Sequence, residues 1–498
     1  MKRQELMICL YRTGRPLAFS IWFAGLFVYT FLFTAPAVYG QESPLDDYLR
    51  EGLTNNLSLQ EQQFDVEKSF RAMDEARGLF FPEVSIEARY SRAGGGRQIS
   101  FPVGDLLNPV YNTLNDMLSQ QGELPIFPQL ENQDIGFLRD REQESKIRLI
   151  QPLFQPAILH NYRLQQHLLG SQEAALDAYK QLLMRDIKVA YYNYLKAEKA
   201  TGILDAARDL VDENLRVNER LVEYDKATQD AVYRARAEML AVAQQQRESV
   251  KNKDLAQSYF NFLLNRPFEE NIDQADEGLL MAAVEAPAAR LIPASATVTT
   301  PSAQAAFTRL ALQNRYELKQ LEAAISASNA AVNISKSDLL PGVAFALDLG
   351  IQGSSYGFAG DQSFYMASVV FSWKLFNGFQ NRNRIQQARI ESQKLTTQHE
   401  ALQQQIKLQV QEAFDNLEVA RESYLTAQQR LTASSEGYRL VSRRYDEGMA
   451  NQVTFLDART TLTEAEINLN LTRYDVLIRM AELEYAVAVN QAPESANP

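Results

Sequence analysis

The sequence predicts a mainly helical protein with two similar halves, each carrying two strands and one long helical hairpin. A motif near the middle of the chain is repeated near its end, and four short segments alternate apolar and polar residues. Two stretches, residues 157–224 and 380–446, contain no proline. A repeat this long, made of several elements, indicates a duplicated half rather than a solenoid of short repeats.

The duplication is visible in short matching segments. The Tyr-Asp pair at Tyr224 is repeated at Tyr445, and the segment LFQP at Leu153 resembles LFNG at Leu375, 222 residues later. Upstream, Pro82 matches Pro341 at an offset of 259 residues. The difference between the two offsets (259 − 222) predicts a loop 37 residues longer in the first half.

Residues 1–40 have the pattern of a secretory signal peptide. A basic start precedes an uncharged apolar run, and small residues then allow cleavage, so that the mature chain begins at about Val38 or Gln41. The alternative is an uncleaved anchor helix, because the run is about long enough to span a bilayer. The single cysteine, Cys9, precedes the apolar run, so we expect neither an acyl anchor nor a disulfide in the mature chain.

Composition restricts the partners of the mature chain. Loss of residues 1–40 removes four bases and one acid, which leaves 46 Lys and Arg against 61 Asp and Glu, a net charge of −15. This balance argues against a nucleic-acid partner. No later run of 18 apolar residues is present, so any further contact with a membrane is expected to use strands.

Four segments have the period of two that is typical of strands with one apolar and one polar face. Their lengths of about nine to eleven residues suit tilted strands that cross a bilayer. The alternative for each segment alone is an ordinary hairpin on a soluble core. The predicted strands are 83–91, 146–154, 343–351 and 365–375.

The rest of the pattern is helical. A helix begins at Ser43-Pro44, and helices are predicted at 58–79 and 317–339. Within 380–446, apolar residues recur every three or four positions, as in a coiled-coil seam, and 67 helical residues would extend about 100 Å. Shorter return helices at about 231–264 and 453–489 complete the two hairpins.

These elements define the predicted organisation. The regions are a signal peptide (1–40), a first repeat (41–265) with its hairpin at 156–265, a connector rich in proline (266–304), a second repeat (305–490) with its hairpin at 380–489, and a tail (491–498).

Four membrane-length strands cannot close a barrel, and an open sheet edge in lipid leaves backbone groups unpaired. The protomer is therefore expected to oligomerise, with eight strands from two copies or twelve from three, of which twelve are wide enough to hold water. On the fourth strand we expect Tyr365, Val369, Phe371 and Trp373 to face lipid, while serine and lysine side chains face an aqueous lumen.

At this point the residues resemble a known family. The proline-terminated helix before an alternating strand, the segment WKLFNG at Trp373, and the segment YDEG at Tyr445 followed by Leu456-Asp457-Ala458 look like the TolC family of outer-membrane factors. The resemblance covers residues 44–490. It implies a homotrimer in which a twelve-stranded outer-membrane barrel continues into a periplasmic helical tunnel. It also implies a periplasmic adaptor and an inner-membrane RND, ABC or MFS transporter, for efflux or type I secretion.

The resemblance places the inner gate at the two helical turnarounds. Tyr445 and Asp457 match family positions, whereas Thr454 replaces a second aspartate and Ala450 replaces a linking arginine. Asp230 in the first turnaround matches a pore aspartate only if one residue is inserted after it. The alternative is that both aspartates favour the starts of their helices by capping and through the helix dipole.

Arg443 and Arg444 are the candidates to replace the missing arginine, and the alternative is that they are solvated charges near a helix end. An enzyme is not expected, because no phosphate loop or nucleophile elbow is present. His160 and His167 lie seven residues apart and lack a third ligand at short spacing, so we predict no metal and no cofactor. The other function class that the pattern allows is an exported structural coiled-coil protein of the periplasm.

Overall fold

The computed structural model describes residues 44–285, 300–355 and 362–489. The predicted signal peptide, much of the predicted connector and the predicted tail lie outside these residues. Ten helices and six strands form within them. The helices are α1 (Pro44–Asn55), α2 (Leu57–Gly78), α3 (Val103–Gln120), α4 (Pro156–Glu223), α5 (Gln229–Leu263), α6 (Glu277–Glu285), α7 (Thr300–Asn314), α8 (Tyr316–Ser337), α9 (Gln380–Asp446) and α10 (Gln452–Val487). The strands are β1 (Glu83–Arg92), β2 (Gln98–Phe101), β3 (Gln133–Gly136), β4 (Arg141–Phe154), β5 (Gly342–Gly353) and β6 (Ser363–Ser372).

The four long strands form one antiparallel sheet in the order β1-β4-β5-β6. The central pair, β4 and β5, joins the two halves of the chain. The ladder between them is regular until Pro152, where the register shifts before Phe154. Because β1 and β6 each pair on one side only within the described protomer, the sheet has two open edges.

The two long helices, α4 and α9, have 68 and 67 residues. Pro156 opens α4, where a missing backbone N–H costs nothing. The return helices α5 and α10 pack along one part of each long helix, and the shorter helices α2 and α8 pack along the rest. The short helices therefore complete the packing that the return helices leave open, α2 against α4 and α8 against both long helices.

The largest fully buried side chains lie where several helices meet. Tyr191 on α4, Phe260 on α5, Phe307 on α7 and Leu477 on α10 belong to one continuous apolar cluster. The Tyr191 hydroxyl donates a hydrogen bond to the Asp273 carbonyl at 2.9 Å, and burial raises the pKa of this tyrosine. The core thus also holds the chain that follows α5.

Arg315, between α7 and α8, connects α8 to α9 and α10. Its buried guanidinium donates two hydrogen bonds to the Glu317 carboxylate, at 2.8 and 3.0 Å, and lies over the Tyr485 ring on α10. It also donates to the Gln409 side chain on α9 at 3.4 Å. A buried charge is tolerated when it is paired in this way.

Two expectations need correction. The long loop predicted between the first two strands contains α3 and a small ladder of β2 with β3. The fourth strand ends at Ser372 rather than at residue 375, because Ser372 pairs with Gly342 and the preceding residue, Pro341, has no N–H to continue the ladder.

Candidate functional site

One face of the sheet is apolar across all four strands. The register aligns Ile86 on β1 with Ile147 on β4, Leu349 on β5 and Tyr365 on β6. All four side chains are exposed in the protomer. An apolar band of this extent on a soluble monomer would be unusual, and it indicates contact with lipid or with another protein.

The opposite face carries a charged network. The Arg148 guanidinium on β4 donates two hydrogen bonds to the Asp348 carboxylate on β5, at 2.8 and 2.9 Å, and one to Glu87 on β1 at 3.1 Å. Lys146 lies between the same strands, with its ammonium 3.0 Å from Glu144 and 3.7 Å from Asp348. This face is therefore suited to water.

The residues predicted to face lipid fall into two groups. Tyr365, Val369 and Phe371 lie on the apolar face of β6, because their partners on β5 belong to that face. Trp373 lies beyond the end of the strand, where its indole N–H donates a hydrogen bond to the Leu339 carbonyl at 3.0 Å. It therefore marks the junction between the sheet and the helices.

The second turnaround connects α9 to α10. Gly448 has a left-handed φ of +71°, and the N–H of Met449 donates to the Arg444 carbonyl, so α9 ends in a glycine cap. Asn451 then caps α10, with its side chain accepting a hydrogen bond from the Thr454 N–H at 2.8 Å. Asp457 lies beyond this first turn, so it does not cap α10, contrary to the capping alternative.

The gate candidates of this turnaround lie in different surroundings. The Tyr445 ring is stacked on the Phe455 ring, with centroids 4.6 Å apart and planes at 21°. Arg443 and Arg444 lie in the last turn of α9 with exposed side chains, and neither forms an ion pair within the part of the chain that the structure describes. Sequence reasoning missed Phe455, because an aromatic residue at that spacing is equally typical of a coiled-coil core.

The first turnaround has the same backbone path with different residues. Asp225 has the left-handed φ, at +54°, that Gly448 has in the second, and Thr228 precedes α5 as Asn451 precedes α10. Both pairs are 223 residues apart (448 − 225 and 451 − 228). The alignment of Tyr224 with Tyr445 is therefore wrong by two residues at this point.

Asp230 lies in the first turn of α5, with its carboxylate 3.3 Å from the Arg234 guanidinium. A hydrogen bond with Thr228, followed by the charge of Arg234, holds the pKa of Asp230 below its ordinary value. The two turnarounds touch each other, since the Gln452 side chain donates to the Ala231 carbonyl at 3.0 Å. Asp230 and Asp457 thus belong to neighbouring turnarounds of one protomer.

Two further observations concern other chemistry. Burial, with a contribution from Arg163, lowers the pKa of His160. No group of three His, Cys, Asp or Glu side chains that could hold a metal ion occurs among the described residues. Across the same residues, no helix combines the length and the apolar character needed to span a membrane.

Comparisons with known proteins agree with this architecture. A family model of outer membrane efflux proteins matches residues 308–489. The toluene efflux pump outer membrane protein TtgC of Pseudomonas putida is 27% identical over 160 residues, 31% of this chain and 32% of TtgC. The match therefore spans about a third of that relative's length. The outer membrane protein TolC of Escherichia coli is 20% identical over 92% of this chain and 87% of TolC.

The fold has a close match among solved structures. The outer membrane channel CmeC of Campylobacter jejuni superposes with a TM-score of 0.69, at 14% identity, over 89% of this chain and 85% of CmeC. The fold, with its two-faced sheet, is that of the protomers of solved outer-membrane channels. The chain is thus similar to outer membrane efflux proteins, in agreement with the predicted resemblance to the TolC family, and this similarity indicates the outer membrane of a Gram-negative cell. The fold class predicted from the sequence is confirmed.

Proposed function

We propose that three copies of this chain form the outer-membrane channel of a tripartite efflux assembly. The sheet carries this proposal, because it has two open edges, one apolar face and one charged face. Each unpaired backbone group at an open edge in lipid costs several kcal/mol, so the edges β1 and β6 must pair with neighbouring copies. Three copies supply twelve strands, enough for a water-filled lumen, whereas eight strands leave an interior filled by side chains.

The orientation of the faces follows from their chemistry. The apolar face contacts lipid, and the network around Arg148 and Asp348 lines the lumen. The helical hairpins extend the lumen into the periplasm as a tunnel. Cargo crosses passively, since the sequence contains no phosphate-binding loop that would couple transport to a nucleotide. The driving force then comes from an inner-membrane RND, ABC or MFS transporter, linked through a periplasmic adaptor.

The cargo proposed is a class of small apolar molecules. The name of the relative TtgC, a toluene efflux pump outer membrane protein, supports efflux over secretion of proteins. Type I secretion remains the second use to test, since one water-filled tunnel serves either purpose. An exported coiled-coil protein without a channel is disfavoured by the exposed apolar band at Ile86, Ile147, Leu349 and Tyr365.

Deletion of the gene tests the proposal. We expect the deletion strain to accumulate a fluorescent efflux dye and to lose tolerance to toluene, and we expect the wild-type gene to restore both. A gene with Val369→Arg is the negative control and should restore neither, because a charge at this central position on the lipid face of β6 should prevent assembly. Unchanged dye efflux together with loss of a secreted protein would assign the channel to type I secretion, and extraction of the protein by carbonate would exclude a membrane channel.

A further inference from the structure

The loop between β1 and β4 is a small folded unit, residues 93–140, which we call the outer insertion. It follows Arg92, which pairs with Arg141 at the end of the sheet remote from the helices. The ladder continues into it, because Ala93 N–H donates to the Asp140 carbonyl and Phe137 N–H donates to the Arg97 carbonyl. Strands β2 and β3 then pair. In an outer-membrane channel the outer insertion therefore stands on the cell-surface side.

Asparagine side chains fix α3 within the outer insertion. Asn108 donates to the Leu130 carbonyl and accepts from the Leu130 N–H, at 2.9 and 2.8 Å. Asn115 makes the same two bonds with Phe127, at 2.8 and 3.1 Å. The Tyr111 ring packs on the Phe127 ring, with centroids 5.3 Å apart. One side of α3 is thus covered by the returning chain and held in a definite orientation.

A different side of α3 is apolar and uncovered. Leu106, Val110, Leu114 and Met117 follow each other at spacings of four, four and three residues and form one stripe, which we call the α3 stripe. These four side chains are between 37% and 69% exposed. Ser119 lies on the opposite side of the helix from the α3 stripe. The protomer alone therefore leaves an amphipathic helix with its apolar side in water.

Charge argues against the lipid surface as the partner of the α3 stripe. Helices that lie on membranes are typically rich in Lys and Arg on their polar side. Helix α3 contains Asp105 and Asp116 but no Lys or Arg, and the outer insertion contains six acids against two bases. An acidic helix of this kind is repelled by the phosphate groups of a lipid surface, so we expect its apolar side to be covered by apolar side chains of protein.

The topology supplies such a partner. Strand β1 is an open edge of the sheet, and it leads directly into the outer insertion. We infer that the α3 stripes of three copies pack against one another above the barrel and form an outer cap. This inference rests on the proposed trimeric channel. Gly95 and Gly96, with φ of +74° and +95°, lie near the start of the outer insertion, shortly after β1 ends. The cap is a second constriction, on the opposite side of the membrane from the turnarounds.

Cysteine cross-linking in the full-length protein tests the cap. The only native cysteine, Cys9, lies in the predicted signal peptide, so a new cysteine reports on its own position. We expect Leu114→Cys and Met117→Cys to give disulfide-linked dimers upon mild oxidation of intact cells. Ser119→Cys, a nearly isosteric change on the opposite side of α3, is expected to stay monomeric on a denaturing gel.

Conductance supplies a second readout. In planar bilayers, oxidised Leu114→Cys channels should pass less current than reduced ones, and a reductant should restore the current. Bimane attached at Leu114→Cys should not be quenched by nitroxide lipids, and quenching would place the α3 stripe on the membrane and overturn the cap. Native mass verifies that each variant is a trimer. Trimers in which Ser119→Cys cross-links as well as Leu114→Cys, or in which Leu114→Cys does not cross-link, would also overturn the cap. The absence of trimers would instead overturn the proposed function itself.

Discussion

The ring of Tyr445, in the last turn of α9, lies stacked on the ring of Phe455, in the second turn of α10. This contact joins the two helices of one hairpin immediately beside the turnaround. Tyr438 lies seven residues before Tyr445 on α9. The centroid of its ring is 5.8 Å from that of the Phe455 ring, and the Arg459 guanidinium lies over the Tyr438 ring. The second turnaround is thus stiffened within the protomer by an aromatic cluster.

Tyr445 has two separable groups, the ring that stacks on Phe455 and the hydroxyl that can make polar contacts. We propose that the Tyr445 hydroxyl and the Arg444 guanidinium bridge neighbouring hairpins. Tyr445→Phe combined with Arg444→Ser removes both groups but keeps the stacked ring. We expect this variant to leak, with higher conductance in planar bilayers and greater sensitivity to large antibiotics. Phe455→Ala is the matched comparison, since it removes the stacking partner but leaves the polar groups. If only Phe455→Ala leaks, the gate depends on the stiffness of each hairpin rather than on bridges.

A second prediction concerns the lipid face of β6. Val369→Arg should impair assembly most, because a charge near the midplane of the bilayer costs about 2–4 kcal/mol, and Phe371→Arg, nearer the end of the strand, should impair it less. Ser372→Arg, on the opposite face of the strand, should be tolerated. The measurement is the amount of heat-resistant trimer in outer-membrane fractions. Equal yields of all three variants would show that β6 does not contact lipid.

A third prediction concerns the Arg148–Asp348 pair. Asp348 is nearly buried, and Asp348→Ala leaves Arg148 and Lys146 without a shared carboxylate. We expect the channel to lose more stability than in the control variant below, because two cationic side chains would then lie side by side on β4 without the carboxylate that they share. Glu87→Gln is the control, because its carboxylate is much more exposed and should contribute less than about 1 kcal/mol. Urea midpoints of the trimer in detergent compare the two, and equal shifts would contradict the ranking.

A fourth prediction concerns the charge of the inner mouth. Three copies of Asp230 and Asp457 should attract cations, so Asp230→Ala combined with Asp457→Ala should reduce cation preference in bilayers. Because its pKa is lowered, Asp230 stays charged below the pH at which an ordinary aspartate is neutralised. Any stability it contributes is present above the ordinary pKa and is lost as the pH falls through the lowered one. Unchanged ion preference in the double variant would place the selective constriction elsewhere.

The sequence was most informative where periodicity alone decides structure. Helix α9 coincides with the stretch 380–446 expected from the missing prolines and the apolar seam, and β1 begins at the predicted Glu83. In these elements each residue faces a side set by its position along a single helix or strand. No contact with a distant segment is needed to predict them.

The sequence was least informative where contacts between distant segments of the chain decide the structure. Helix α3 was missed because it contains Pro109, a residue that ordinarily ends or bends a helix, and because asparagines, which ordinarily favour turns, bond here to a returning chain. The turnaround alignment was wrong because Asp225 and Gly448 reach the same left-handed backbone with different side chains. The pairing of Arg148 with Asp348 depends on the register of strands 200 residues apart, which neither half reveals alone.

The open edges of the sheet also have a genetic consequence. A chain with a defective β6 can still pair its intact β1 with β6 of a normal chain. It therefore enters the trimer and prevents the barrel from closing. In a cell that makes both versions, alleles with such an edge defect should therefore be dominant. Alleles that prevent the chain from folding never meet the normal copies, and they should be recessive.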